Sequence, residues 1–337
     1  MSYQTKDRDG SAGMKRREFI TVVGGAVATW PLAARAQQMR RIGVLLVTSE
    51  DDPESQARVA AFEEGLNKLG WTVGRNIRID YRWYGGQTER ARTAAAELLK
   101  LSPDVMFANA NPATRVLREL TRDVPVVFTT VTDPVGSGFV ASLARPGGNI
   151  TGFTNQPVEG AKFVELLKQI APGVKRVSVM VGNSSSSDAI ALSAEKAAPK
   201  FSVESTKVVV SNPSIIEPAL TALGNEPNGG LIIPGDTVTS SNRQLIVTLA
   251  ATYRIPSVYG FKFFATAGGL LSYGIDVTGQ FLDATSYIDR ILRGEKPADL
   301  PVQQPTKFSL VINVKTARSL GLTVPPTLLA AADEVIE

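Results

Sequence analysis

From residue 40 onward, short runs of aliphatic and β-branched residues alternate with longer stretches whose apolar positions recur every three to four residues. Runs of the first kind suit strands buried on both faces. Stretches of the second kind suit amphipathic helices, and their alternation predicts parallel sheets with covering helices. The first unit reads as a strand over Arg41–Val47, a polar loop over Thr48–Asp52 and a helix from Pro53 to about Leu69, closed by Gly70. Pro53 suits a first helical turn, and Asp51 and Asp52 place negative charge at a helix start. Strands follow at Ile77–Trp83, Val105–Ala108 and Val124–Phe128, with helices at Thr88–Leu101, Pro112–Leu120 and near Pro134–Ala144. A turn cluster, Arg145–Asn149, then leads into a strand over Ile150–Thr154, read as the first crossing into another lobe.

A second series has the same wiring. Its strands are Arg176–Val181, Glu204–Val210, Leu231–Ile233, Pro256–Tyr259, Leu270–Tyr273 and Phe308–Ile312. Its helices are Asp188–Lys200, Ile215–Leu223, Ser240–Tyr253, Gly279–Arg293 and one from Asn313 to about Leu320. A chain of 337 residues is long enough for two such lobes.

Residues 1–36 have a different character. After a polar stretch, a charged head (Lys15, Arg16, Arg17) precedes an apolar run around Phe19–Trp30 and the triplet Ala34-Arg35-Ala36. That order is the form of an export signal cleaved before about Gln37. The string Arg16-Arg17-Glu18-Phe19 has twin-arginine character, with a general secretory signal as the alternative. The expected location of the mature protein is the periplasm. The leader also accounts for most of the basicity. The net charge of +4 falls to about +1 without it, and no basic run with interleaved aromatics remains, so nucleic acid is not expected as a partner.

The chain has no cysteine and no histidine. Thiolate and imidazole metal sites are excluded, as are Ser-His and Cys-His nucleophilic pairs. No phosphate-binding glycine loop or nucleophile elbow appears, so neither enzyme chemistry, nor a metal, nor a cofactor is expected. The informative positions are the loops just after strands, where open α/β sheets bind ligands. They carry Ser49, Asn109, Asn111, Thr130, Asp133, Asn183 and Asp236, and Tyr259 ends a strand. Free backbone N–H groups at such helix starts can hold a carboxylate, and Asp133 or Asp236 an ammonium group. Each of these polar residues, taken singly, is also an ordinary helix cap.

Several strings resemble a known family. They include Asp133-Pro134-Val135-Gly136, the run Ser142-Leu143-Ala144-Arg145-Pro146-Gly147-Gly148-Asn149-Ile150-Thr151-Gly152, Ser272-Tyr273-Gly274, Ile291-Leu292-Arg293-Gly294 and Leu300-Pro301-Val302-Gln303-Gln304-Pro305-Thr306. With Gly65-Leu66 through Gly70, Gly74-Arg75-Asn76-Ile77 and Ala332-Asp333-Glu334-Val335-Ile336 they are spread over nearly all of residues 40–337 and resemble the ABC transporter substrate-binding proteins with a type I periplasmic-binding fold, related to tryptophan-binding members. The resemblance implies two doubly wound, Rossmann-like lobes joined by a three-crossover hinge, closing on a small molecule. It implies an ABC permease and ATPase as partners, with the receptor a monomer. The expected lobes are 40–151 plus 265–292 and 152–264 plus 293–337. By position, the resemblance carries ligand contact onto Ser49, Asn109, Asn111, Thr130, Asp133, Asn183, Asp236 and Tyr259, although the serine run 184–187 is unusual for its loop. An amino acid or a small aromatic or aliphatic carboxylate is the expected ligand. A periplasmic sensory module for a receptor kinase or chemoreceptor, and an exported α/β enzyme, are the alternatives.

Overall fold

The computed structural model describes residues 39–155, 159–182, 185–306 and 308–337. The leader and Asn183 lie outside the described residues.

The first lobe is a five-stranded parallel sheet in the order β2-β1-β3-β4-β5. It comprises β1 (Arg40–Leu46), β2 (Ile77–Trp83), β3 (Val105–Asn109), β4 (Val126–Val131) and β5 (Ile150–Thr154). All five residues of β3 are buried, as a central parallel strand covered on both faces requires. Between the strands run α1 (Pro53–Lys68), α2 (Thr88–Lys100) and α3 (Ala110–Leu120). Asp52 caps α1 by accepting the Glu54 N–H at 2.9 Å, and Pro53 fills the first turn. The buried stripe of α1 is Ser55, Arg58, Phe62, Gly65 and Leu66. An arginine therefore stands where the helical period calls for an apolar residue.

The second lobe is a seven-stranded sheet in the order β12-β11-β10-β9-β8-β6-β7. After α4 (Gly160–Ile170) come β6 (Arg176–Val181), α5 (Ser185–Ala197), β7 (Glu204–Val209), α6 (Ile216–Gly224) and β8 (Gly229–Ile233). Then follow α7 (Thr237–Ser241), α8 (Arg243–Thr252), β9 (Ser257–Tyr259), α9 (Lys262–Thr266) and β10 (Leu271–Ile275). The long α10 (Val277–Leu292) leaves this lobe and packs across α1 and β4 of the first. The chain returns to β11 (Phe308–Asn313), α11 (Val314–Ser319), α12 (Pro326–Ala331) and β12 (Glu334–Ile336). Only the β10–β11 pairing is antiparallel among those described.

Three crossings join the lobes: after β5, between β10 and α10, and from α10 to β11. Two glutamines tie them together. Gln280 on α10 donates to the Thr154 carbonyl at 2.8 Å and accepts the Thr130 N–H at 3.1 Å. Gln303 runs beside β5, its N–H on the Gly152 carbonyl and its carbonyl taking the Thr154 N–H at 2.8 Å. At the far end of α10, the Trp71 indole donates to Asp289 at 2.8 Å.

Several expectations are corrected. Residues 265–276 do not return to the first lobe, because β10 pairs beside β9 with Leu271 opposite Val258. Nor does the first lobe end at 151, since Val131 of β4 still pairs with Thr154. The helix expected near Pro134–Ala144 is a series of turns. Asp133 there has φ +46° and its carboxylate accepts the Gly136 N–H, an arrangement that competes with a helix. The stretch read as one helix over Ser240–Tyr253 is two, divided at Asn242. The helix Gly160–Ile170 was not expected, although Phe163, Leu167 and Ile170 have the helical period.

Close backbone packing at the second crossing fixes Gly274. A Cβ there would overlap the Gly260 carbonyl oxygen, whereas one at Gly148 meets nothing within 4 Å. Gly274→Ala should destabilise the protein by about 1–3 kcal/mol through forced backbone movement. Thermal unfolding should show a clear fall for Gly274→Ala and little change for Gly148→Ala.

Candidate functional site

The carboxyl ends of the parallel strands of both sheets face one another, and between them lies a cavity of about 610 Å³. Its size suits a small metabolite. From the first lobe it is lined by Thr48, Asp52, Arg58, Asn109, Arg115, Thr130 and Asp133, among others; from the second by Asp236, Thr237, Arg243, Phe261 and Phe263.

One wall is a strained polar edge. Asn109 ends β3 with its side chain 2% exposed as a residue, and its amide donates to the Thr130 hydroxyl at 2.6 Å. Thr130 has φ +53° and the adjoining helix starts at Ala110 with φ +75°. A left-handed threonine is unusual for a β-branched side chain, and such outliers cluster at ligand sites. Gln280 and Asn109 hold Thr130 in this form. Asn111 fastens the next loop, exchanging two 2.9 Å hydrogen bonds with the backbone of Thr132.

The opposite region is cationic and aromatic. Arg243, at the start of α8, makes a two-pronged ion pair with Asp52 at the start of α1, at 2.6 and 2.9 Å. This bond spans the lobes. A helix N-terminus disfavours a cation, so the position of Arg243 reflects its partner. Thr266 also reaches across to Glu54 at 3.3 Å. The Phe263 ring, from the second lobe, lies 5.2 Å from the Arg58 guanidinium and 5.7 Å from that of Arg243. Phe261 stacks on Phe263 at 5.2 Å between centroids. Burial holds the Arg58 guanidinium below its ordinary value, against the opposing pull of Glu54 and Asp52.

Of the residues expected to touch ligand, the structure brings Asn109, Asn111, Thr130, Asp133 and Asp236 to the cavity. Ser49 is exposed and outside the lining, while its neighbour Thr48 lies within it. Tyr259 is fully buried in the core, stacked on Phe264 at 4.7 Å. Tyr259 is the last residue of β9 with its ring in the core, and Phe261, beyond the strand end at Gly260, meets the cavity instead. Asp236 lines the cavity as a cap: Oδ1 accepts the N–H groups of Val238 and Thr239, and Oδ2 the Thr239 hydroxyl at 3.0 Å. Asp52, Arg58, Arg115, Arg243 and Phe263 were not foreseen. The available signals were Arg58 inside an apolar stripe and Arg243 at a helix start.

Residues 41–336 match the model of the ABC transporter substrate binding protein family. The chain belongs to this family. A tyrosine-binding protein of Clostridioides difficile (strain R20291) is 25% identical over 288 residues, spanning 85% of this chain and 82% of the relative. The ABC domain from Streptococcus pneumoniae in complex with L-Trp superposes with a TM-score of 0.77 at 27% identity, covering 88% of this chain and all of that one. A conserved domain protein from Vibrio cholerae O1 biovar El Tor aligns with the same TM-score and identity, over 88% and 99% of the two chains. The two lobes, their parallel sheets and the three crossings are the type I periplasmic-binding fold. The family is one of substrate-binding proteins. Among the described residues no helix is long and apolar enough to cross a membrane.

The electrostatics of Asp236 give a pH test. Desolvation raises its pKa above the ordinary carboxylate value, against the lowering effect of its hydrogen bonds to Thr239, Val238 and Gly182. The folded state then holds the proton more tightly than the unfolded chain. Stability from this group is gained as pH falls through the folded pKa and is absent above it. Asparagine caps as well as aspartate and does not titrate. The melting temperature of the native protein relative to Asp236→Asn should therefore rise between pH 7 and pH 4, measured by differential scanning calorimetry.

Proposed function

We propose that this substrate-binding protein is the periplasmic receptor of an ABC importer and that it carries an amino acid with an aromatic side chain. The observation that supports the reading most directly is the interlobe cavity, which sets Phe261 and Phe263 opposite the polar edge of Asn109, Thr130 and Asp133. An aromatic side chain would pack against the phenylalanines. Asp133 would receive the ammonium group, because only its Oδ1 is engaged, by the Gly136 N–H, whereas both oxygens of Asp236 are occupied as a cap. The names of the relatives, one tyrosine-binding and one solved with L-Trp, support the same class. Residues 1–36 would direct export and be removed before about Gln37, and a permease with its ATPase would receive the loaded receptor.

On this reading the mechanism is capture and delivery. The ligand enters between separated lobes, the hinge at β5, Asp276 and Gln303 turns, and closure completes the Asp52–Arg243 bond over it. No bond of the ligand is made or broken. Isothermal titration calorimetry of residues 37–337 should show one site for L-tryptophan, L-tyrosine or L-phenylalanine. Asp133→Ala should weaken that binding by about tenfold or more, as loss of a charge-assisted hydrogen bond does. Binding of a neutral sugar, with none of the amino acids, contradicts the reading.

A further inference from the structure

Arg58 is 5% exposed, yet among the described residues it has no ion pair, and its buried Nε has no hydrogen-bond partner. It lines the cavity. Of the two carboxylates whose charge acts on it, Asp52 already gives both oxygens to Arg243, and Glu54 accepts from Thr266 of the other lobe without pairing with Arg58. The Phe263 ring contributes a weak cation–π contact only. A buried guanidinium without a paired anion is disfavoured, and it cannot escape by releasing its proton. Arg58 lies on α1 of the first lobe, whereas the ring packed against it belongs to the second. Closure itself therefore removes water from this cation.

We infer that Arg58 is the seat of the ligand's carboxylate and that this makes closure conditional on an anionic ligand. An empty cleft that closes strands the charge; a carboxylate on Arg58 replaces the lost water with a charge-assisted pair. A ligand with the same ring but no carboxylate leaves the penalty in place. This deepens the reading above and rests on it for the choice of ligand, but the closure half stands on Arg58 alone.

The test compares native protein, Arg58→Met and Arg58→Lys by calorimetry with L-tryptophan and with tryptamine, which lacks the carboxylate. Native protein should prefer L-tryptophan by about 30-fold or more, the usual size for a buried charge pair. Arg58→Met should lose the preference to within about threefold while melting no lower than native protein, since an apolar group replaces an unpaired charge. Arg58→Lys should keep part of the preference. An Arg58→Met protein that retains the native preference overturns the assignment. If native protein binds no aromatic amino acid, the functional reading fails and the inference is judged on ligand-free closure. The chain has no cysteine, so spin labels can be placed through Glu89→Cys and Glu217→Cys, one in each lobe. Without ligand, Arg58→Met should shift the label distances toward those of the closed form. Identical distance distributions with and without Arg58 overturn it.

Discussion

The ion pair between Asp52 and Arg243 is the contact on which the closed arrangement turns. Each partner is planted at a helix start, one on each lobe, and the geometry is two-pronged. Asp52 is 7% exposed, so the pair is largely removed from water. Removing one partner of such a pair costs about 3–5 kcal/mol, because the survivor is left buried and uncompensated. The same exclusivity shapes the cavity beside it. Since Asp52 is fully engaged by Arg243, it is not free to pair with Arg58, whose guanidinium faces Phe263 with no ion-pair partner among the described residues.

The hinge motion proposed above would make that contact reversible. Gln280 ties α10 to β5 and β4, and Gln303 ties the returning chain to β5. The lobes meet elsewhere by side chains at the cleft, with Glu54 on Thr266 and the Gly85–Gly86 turn against Ser241. Gly86 has φ +75°, and a Cβ there would come within 3.0 Å of the Ser241 hydroxyl oxygen. The polar contacts can exchange with water when the lobes part, whereas the pivot bonds are internal to the crossings.

Much of the fold was legible because burial on both faces leaves a plain mark. The runs at Ile42–Leu46 and Val105–Phe107 have few alternatives to a central parallel strand. The lobe boundaries were less legible, since membership of a strand such as Leu271–Ile275 depends on its neighbour in space. At the site, Asn109, Thr130 and Asp133 were readable from the rule that ligands meet strand ends. Tyr259 was misread because a strand-end position does not say which face a side chain takes. Arg58 and Arg243 were missed because charged residues on helices usually face water. Only the tertiary arrangement brings a charge in an apolar stripe against a ring from the other lobe.

The central claim is that the cleft encloses a zwitterionic aromatic amino acid rather than a neutral solute. Mass spectrometry of small molecules released by denaturing freshly purified mature protein tests it most directly, because a closed receptor retains a tightly bound ligand through purification. The account predicts a single compound near one equivalent per chain, carrying a carboxylate, an amine and an aromatic ring. A stoichiometric sugar or polyol in its place would contradict it.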